Sequence, residues 1–175
     1  MRIKELRLTN FKSIGSEEQT IKFAPITLLF GPNSAGKSSV MQALAYFHEI
    51  VSKHNLDPDE TTIGGEAMSL GGFKNLVHGQ DTSRNIRIEL VMHEVRADRD
   101  LPKEISGEPR LPRPEYAPFL FDFYEGIKSG LIVEEFSVAV TISWSDSKNC
   151  PFVERFQLSI DGEEVANFKT QADFR

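Results

Sequence analysis

The sequence GPNSAGKSS, residues 31–39, directly follows the apolar run ITLLF, residues 26–30. It matches the pattern G-x-x-x-x-G-K-[ST] without a mismatch, with Lys37 and Ser38 as its last two members. From average residue frequencies, a chance match is expected in fewer than about one chain of this length in a hundred. The pattern is typical of a loop that cradles phosphate groups.

The residues on both sides of the motif favour the same interpretation. The continuously apolar run 26–30 predicts a strand that is buried on both faces. After the loop, Val40, Leu44, Phe47 and Val51 recur at helical spacing, which predicts an amphipathic helix from about Lys37 to about Ser52. The sequence therefore predicts a strand, a phosphate loop and a helix in direct succession.

Each residue type in the motif has a chemical reason to be there. Gly31 and Gly36 let the backbone turn its N–H groups inward and allow phosphate oxygens to approach closely. The helix N-terminus adds unpaired N–H groups, Lys37 adds a positive charge, and Ser38 offers a hydroxyl oxygen to Mg²⁺. The predicted nucleotide contacts are Gly31, Pro32, Asn33, Ser34, Ala35, Gly36, Lys37, Ser38 and Ser39, and the predicted metal ligand is Ser38.

The residues upstream of the motif carry a resemblance to a known family. IKELRLTNFKSIG (3–15) followed by ITLLFGPNSAGKSSVMQAL (26–44) resembles the opening of ABC-type ATPase heads. The similar groups are RecF, the structural-maintenance-of-chromosomes (SMC) heads and the overcoming-lysogenisation-defect-like bacterial AAA ATPases. The resemblance implies ATP and Mg²⁺ as cofactors, and Lys12 and Ser13 as contacts to the phosphate or adenine side. SLGGFKNLVHG (69–79) also looks like this last group.

The chain departs from this family where catalysis would be expected. Such heads also carry a glutamine loop, a signature motif, an apolar run that ends in Asp-Glu, and a switch histidine. Glu134-Glu135 and Asp122 each follow only three apolar residues, and we interpret neither as the Asp-Glu motif. Gln80 is a candidate for the glutamine-loop residue, but the sequence supports Gln42 and Gln157 equally well. The catalytic residues stay unassigned. We expect an N-terminal fragment or a split subunit that binds ATP weakly or not at all alone and does not turn it over measurably.

Patterns in the rest of the chain predict how it is organised. Alternation in 86–92, 136–144 and 156–160, with a hairpin signal at Asp161-Gly162, predicts an antiparallel meander with one polar face. Five of the nine prolines lie in 97–118, which predicts an exposed loop or insertion. The predicted fold is α/β on an α+β body: an N-terminal P-loop NTPase lobe of one incomplete ATPase head, with a buried strand, P-loop and helix joined to a meander. Its expected parts are a P-loop core (1–54), a glycine-rich segment with a strand (55–96), the proline-rich loop (97–118) and the meander (119–175).

Composition limits the remaining function classes. The net charge of −6 gives no support for nucleic-acid binding, although it does not exclude DNA binding through a local patch or a partner. Cys150 is the only cysteine, and the histidines are scattered at 48, 54, 78 and 93, so no metal site is predicted from them. No secretory leader or membrane-spanning run is visible, so we expect a cytoplasmic protein without membrane contact.

Two functions of different classes fit these observations. The first is the ATP-binding part of an ATPase that switches head dimerisation by ATP binding and hydrolysis, in DNA repair or antiphage defence. Its partners would be a second head, giving a homodimer or higher oligomer, and a C-terminal half or separate effector subunit. The alternative is a non-hydrolysing ATP-binding scaffold or split subunit of a larger assembly. A P-loop kinase or GTPase lacks supporting motifs here.

Overall fold

The computed structural model describes residues 2–32, 36–53, 55–63, 66–96 and 132–170. Two helices lie within these ranges, α1 (Lys37–Lys53) and α2 (Gly72–Leu76), together with short 3-10 turns at Pro58–Glu60 and His78–Gln80. The strands are β1 (Arg2–Thr9), β2 (Gln19–Lys22), β3 (Thr61–Ile63), β4 (Glu66–Met68), β5 (Ile86–Arg96), β6 (Ile132–Ser145), β7 (Cys150–Ile160) and β8 (Glu163–Lys169).

Six of the strands form one antiparallel sheet in the order β2-β1-β5-β6-β7-β8, and β3 pairs with β4 in a separate hairpin. The predicted meander is confirmed in β6, β7 and β8. Asp161 and Gly162 connect β7 to β8 and both have positive φ, 48° and 84°, as a tight two-residue hairpin requires. Alternating side chains along these strands give the sheet one apolar and one polar face.

The apolar face of the sheet and the two helices share one hydrophobic core. Leu6 and Leu8 of β1 and Ile88 of β5 are fully buried, and for Ile88 the alternation over 86–92 predicts this. Helix α1 is confirmed within one residue of its predicted end, and its buried stripe includes Phe47 and Ile50. Full burial of one such side chain contributes about 1.5–3 kcal/mol, so the core fixes α1, and with it the start of α1, against the sheet.

Helix α2 lies within SLGGFKNLVHG, residues 69–79. Phe73, Leu76 and Val77 are buried, and the segment turns at Gly79, where φ is 67°. The Phe73 ring stacks on Trp144 of β6 with ring centroids 5.7 Å apart. These contacts join α2 to the centre of the sheet, because β6 lies between β5 and β7.

A network of charged and polar side chains covers the other face of the sheet. Arg7 pairs with Glu5 at 2.8 Å and with Glu89 at 3.2 Å, and Arg87 pairs with Glu89 at 2.8 Å. Arg87 also donates a hydrogen bond to Gln157 across the intervening strand. The carboxylates of Glu5 and Glu89 are nearly buried within this network. The predicted polar face is therefore a layer of paired charges.

The prediction that ITLLF, residues 26–30, forms a strand buried on both faces is wrong for the structure described here. Residues 26–30 adopt no strand, and Ile26, Leu28 and Phe30 are 82%, 70% and 84% exposed. A β-strand is stable only when a neighbouring strand satisfies its N–H and C=O groups, and no described strand pairs with this run. The apolar composition shows what the run can bury, but it does not supply the partner.

Several predictions fall outside the described residues. These are the proline-rich loop 97–118, Asp122 and His54. Asn33, Ser34 and Ala35 of the motif also lie outside. None of the helices in the described part of the chain has the length and apolar composition to cross a membrane.

Candidate functional site

The phosphate-loop motif leads directly into α1. Gly36 immediately precedes the helix and has φ of 83°, which favours glycine, and Gly31 has φ of 148°. The first turn of the helix contains no acidic residue. The unpaired N–H groups and the positive end of the helix dipole therefore stay uncompensated at this end, which suits an anionic ligand.

Lys37, the first residue of α1, folds back over the loop. Its ammonium donates hydrogen bonds to the carbonyl oxygens of Gly31, at 2.7 Å, and Pro32, at 2.6 Å. The lysine thus holds the two ends of the motif together. An ammonium has three protons to donate, so a phosphate oxygen can share this group with the loop carbonyls.

The two serines after Lys37 point to different surroundings. Ser38 is exposed at the start of α1, where its hydroxyl is accessible to a ligand. Ser39 is only 8% exposed and lies on the side of α1 that faces the core. The exposed oxygen of Ser38 fits a hard cation such as Mg²⁺, which is typically held by one or two protein oxygens together with phosphate.

A second polar loop, the turn of residues 10–15, lies beside the motif. The Ser13 hydroxyl oxygen would be 3.3 Å from a Cβ atom added at Gly36, so the two residues are in direct proximity. Lys12 and Ser13 are the positions that the family resemblance selected, and the structure sets this turn next to the start of α1. Burial of Lys12 lowers the pKa of its ammonium.

Residues 76–78 hold this turn, and sequence reasoning missed their role. The backbone N–H of Lys12 donates to the Leu76 carbonyl at 2.6 Å, and the N–H of His78 donates to the Asn10 carbonyl at 3.0 Å. Nδ1 of His78 lies 2.8 Å from the carbonyl oxygen of Lys12. The only available signal was the similarity of SLGGFKNLVHG to one family group, which does not say what the segment touches.

Asp59 is another polar residue that the sequence did not single out. Its Oδ1 accepts hydrogen bonds from the Ser69 hydroxyl at 2.6 Å and from the N–H groups of Gly71 and Gly72 at 3.0 Å. The Ser69 hydroxyl, followed by the backbone donors of Gly72 and Gly71, lowers the pKa of this carboxyl. Asp59 therefore anchors the turn before α2.

Several other candidates from the sequence have structural partners. Glu135 pairs with Lys4 at 2.5 Å. Gln80 donates to Asn75, and Gln157 belongs to the charged face of the sheet. His48 is exposed on α1, and Nδ1 of His93 lies 3.0 Å from the Glu134 carbonyl oxygen. Among the described residues, no group of three His, Cys, Asp or Glu side chains could hold a metal ion.

An open pocket of about 670 Å³ lies at the start of β1, lined by Arg2, Lys4, Phe23, Pro25 and His93 among others. Because β1 rises about 3.3 Å per residue, this pocket is roughly 23 Å along the strand from the turn of residues 10–15. It is therefore separate from the site at the start of α1.

Comparisons with known proteins bear on the family. A solved structure described under "ATP-driven dimerization and DNA stimulated activation of SMC ATPases" is similar over 94% of this chain and 72% of its own, at 15% sequence identity and a TM-score of 0.49. No curated protein matches the sequence. The sequence profile of the AAA ATPase domain matches residues 1–111, which confirms the predicted resemblance at the level of the family. Since this match spans more than half of the 175 residues, the chain belongs to the AAA ATPase domain family.

Proposed function

We propose that this chain is the ATP-binding part of an ABC-type ATPase head and that ATP binding and hydrolysis switch the pairing of two heads. The observation that carries the proposal is the proximity of Ser13 to Gly36, which sets a second polar loop beside the phosphate-loop motif. Family membership supports nucleotide binding in general. Head pairing, and a place in DNA repair or antiphage defence, follow from the resemblance of residues 1–50 to such heads.

The residues of the site have distinct binding tasks. Backbone N–H groups at Gly36 and the start of α1 would donate to phosphate oxygens, and Lys37 would add a charge-assisted hydrogen bond. Ser13, beside Gly36, would donate a hydrogen bond from its hydroxyl to a phosphate oxygen or an oxygen of the sugar. The partly buried ammonium of Lys12 would add a second positive charge next to the same ligand.

Mg²⁺ fits the same end of the helix. Ser38 would hold it through the exposed hydroxyl oxygen, with the remaining ligands from phosphate and water. The bound ion would neutralise charge on the phosphates. The residues of this chain that act with it are those that orient the nucleotide, Lys37 and Ser38 above all.

The exposed run Ile26–Phe30 favours a further polypeptide in the working protein. Ile26, Leu28 and Phe30 present apolar side chains to solvent directly before the motif, and burial of each would contribute about 1.5–3 kcal/mol. We propose that a strand from the polypeptide that completes the head, either its C-terminal half or a separate subunit, pairs with this run. The same strand would supply the hydrogen-bond partners that residues 26–30 lack within the described sheet.

Titration with Mg-ATP up to millimolar nucleotide in a calorimeter tests the ATP site, because we expect weak binding by the chain alone. Lys37→Ala removes a charge-assisted contact of about 1.5–3 kcal/mol, so ATP affinity should fall about 10- to 100-fold. Lys169→Ala is the matched control, because it removes the same charge at an exposed position on the far edge of the sheet. Equal affinity in wild type and Lys37→Ala would refute the proposed site.

Phosphate release measured on the same samples distinguishes an ATPase from a non-hydrolysing ATP-binding scaffold. Release that depends on Lys37 once the completing polypeptide is added supports the ATPase, because we expect no measurable turnover by the chain alone. Tight ATP binding without release, also in the presence of the completing polypeptide, supports the non-hydrolysing scaffold.

A further inference from the structure

The turn of residues 10–15 has a backbone that needs external support. Asn10 and Lys12 both have φ of 53°, a left-handed conformation that non-glycine residues rarely adopt. Within the turn, the N–H of Asn10 donates to the Gly15 carbonyl and the N–H of Ile14 donates to the Phe11 carbonyl. Such a conformation persists only where surrounding contacts determine it, and segment 76–78 provides those contacts.

Segment 76–78 runs antiparallel to the turn and bonds to it on both sides. Phe11 and Val77 form an isolated antiparallel bridge, and both side chains are buried in the core. The backbone bonds from Lys12 to Leu76 and from His78 to Asn10 flank that bridge. These bonds fix the first half of the turn but leave the part around Ser13 to other contacts.

The side chain of His78 reaches that second half. A backbone carbonyl only accepts hydrogen bonds, so the 2.8 Å contact to Lys12 requires that Nδ1 of His78 carries the proton. The imidazole also covers Gly15, where an added Cβ would lie 3.7 Å from Nε2. The ring therefore contacts the Lys12 carbonyl, immediately before Ser13, and lies beside Gly15, two residues after Ser13.

We propose that His78 is a positioning residue for nucleotide binding: its ring holds the Lys12 carbonyl and Gly15 so that Ser13 stays beside Gly36. This inference rests on the proposed function, because it assigns the turn to the nucleotide site. His78 itself contacts the turn and acts on the nucleotide only through it. Loss of the Nδ1 hydrogen bond should release the Lys12 carbonyl and Ser13, while the buried Phe11–Val77 bridge and its flanking backbone bonds keep the rest of the turn in place.

A set of three substitutions at His78 tests the positioning role. His78→Ala removes the donor, and Mg-ATP affinity should fall about 2- to 10-fold, the value of one neutral hydrogen bond. His78→Asn keeps an amide N–H at about the position of Nδ1 and should restore affinity to near that of wild type. His78→Gln puts its amide group one bond further out and should behave like His78→Ala.

His93→Ala is the matched control, since it removes a similar contact between a ring nitrogen and a backbone carbonyl, on the sheet and away from the turn. Thermal unfolding of each variant reports on stability separately from calorimetric ATP affinity. The inference is overturned if all three His78 variants bind ATP as wild type does, or if affinity follows only the unfolding temperature, with His93→Ala included. The Asn and Gln pair decides the question even if His78→Ala does not fold.

Lys37→Ala separates this inference from the proposed function. If Lys37→Ala weakens ATP binding but the His78 variants do not, only the positioning role fails. If Lys37→Ala binds ATP as wild type does, the proposed nucleotide site fails as well.

Discussion

Gly36→Ala perturbs the point where the two loops of the proposed site meet. Gly36 has φ of 83°, and an alanine Cβ there would lie 3.3 Å from the Ser13 hydroxyl oxygen. Gly162, in the β7–β8 hairpin, has φ of 84° and open space around an added Cβ. The two glycines therefore share one backbone conformation but differ in what surrounds them.

The backbone cost should be nearly the same for both alanine variants. An alanine in the left-handed region costs about 1–2 kcal/mol. The narrower unfolded ensemble of alanine offsets about 0.4–1 kcal/mol of that cost. We therefore expect each variant to lose about 1 kcal/mol of unfolding free energy.

Nucleotide binding should separate the two variants. At Gly36 the new methyl group displaces the Ser13 hydroxyl by a few tenths of an ångström and narrows the approach of phosphate to the backbone N–H groups. Loss of one hydrogen bond to a charged ligand is worth about 1.5–3 kcal/mol, so ATP affinity should fall about 10-fold or more. Gly162→Ala should bind ATP as wild type does.

Urea unfolding and calorimetric titration with Mg-ATP measure the two quantities independently. The reasoning is refuted if Gly36→Ala keeps wild-type affinity, or if Gly162→Ala loses as much affinity as Gly36→Ala. A much larger stability loss in Gly36→Ala than in Gly162→Ala would show that the Ser13 hydroxyl cannot shift away from the new methyl group. That result would contradict the assumption that this hydroxyl is free to move.

Two further predictions concern the exposed run and the charged face of the sheet. Phe30→Ser should change the unfolding free energy, measured in urea, by less than about 0.5 kcal/mol, because the ring is 84% exposed; a larger stability loss would contradict the exposed position. Glu5→Gln should cost about 1 kcal/mol at pH 7, because Arg7 lowers the pKa of Glu5 below its ordinary value of 4.5. That contribution is present above the unfolded pKa and is lost as the pH falls through the folded pKa, so urea unfolding of the two proteins should converge at acid pH; a difference independent of pH would contradict it.

The sequence predicted the elements whose signal is local. Helix α1 follows from apolar residues at helical spacing after a phosphate-loop motif, and β5 follows from the alternation of Ile86, Ile88, Leu90 and Met92 with Arg87 and Glu89. The β7–β8 hairpin follows from Asp161-Gly162, the residue types that tolerate positive φ. In each case neighbours in sequence are also neighbours in space, so a short window contains the cause.

Contacts between distant segments could not be predicted in this way. Ser13 and Gly36 are 23 positions apart, and His78 and Lys12 are 66 positions apart. Neither pair leaves a periodic pattern, because one residue from each segment makes the contact. The resemblance to a family selected Lys12 and Ser13, but only the packing of segment 76–78 on the turn indicates what holds them.

The prediction of a buried strand at Ile26–Phe30 failed for a different physical reason. The composition of this run is that of a buried strand, and its side chains remain exposed because strand burial depends on a neighbour that the described sheet does not supply. The run ends where the phosphate-loop motif begins, while α1 fixes the other end of that motif. A strand that pairs with residues 26–30 would order the near end, so less conformational entropy would be lost when ATP binds. By linkage, ATP would then strengthen the binding of that strand by the same factor. Binding of the strand and binding of the nucleotide would be coupled through Gly31, where the run meets the motif.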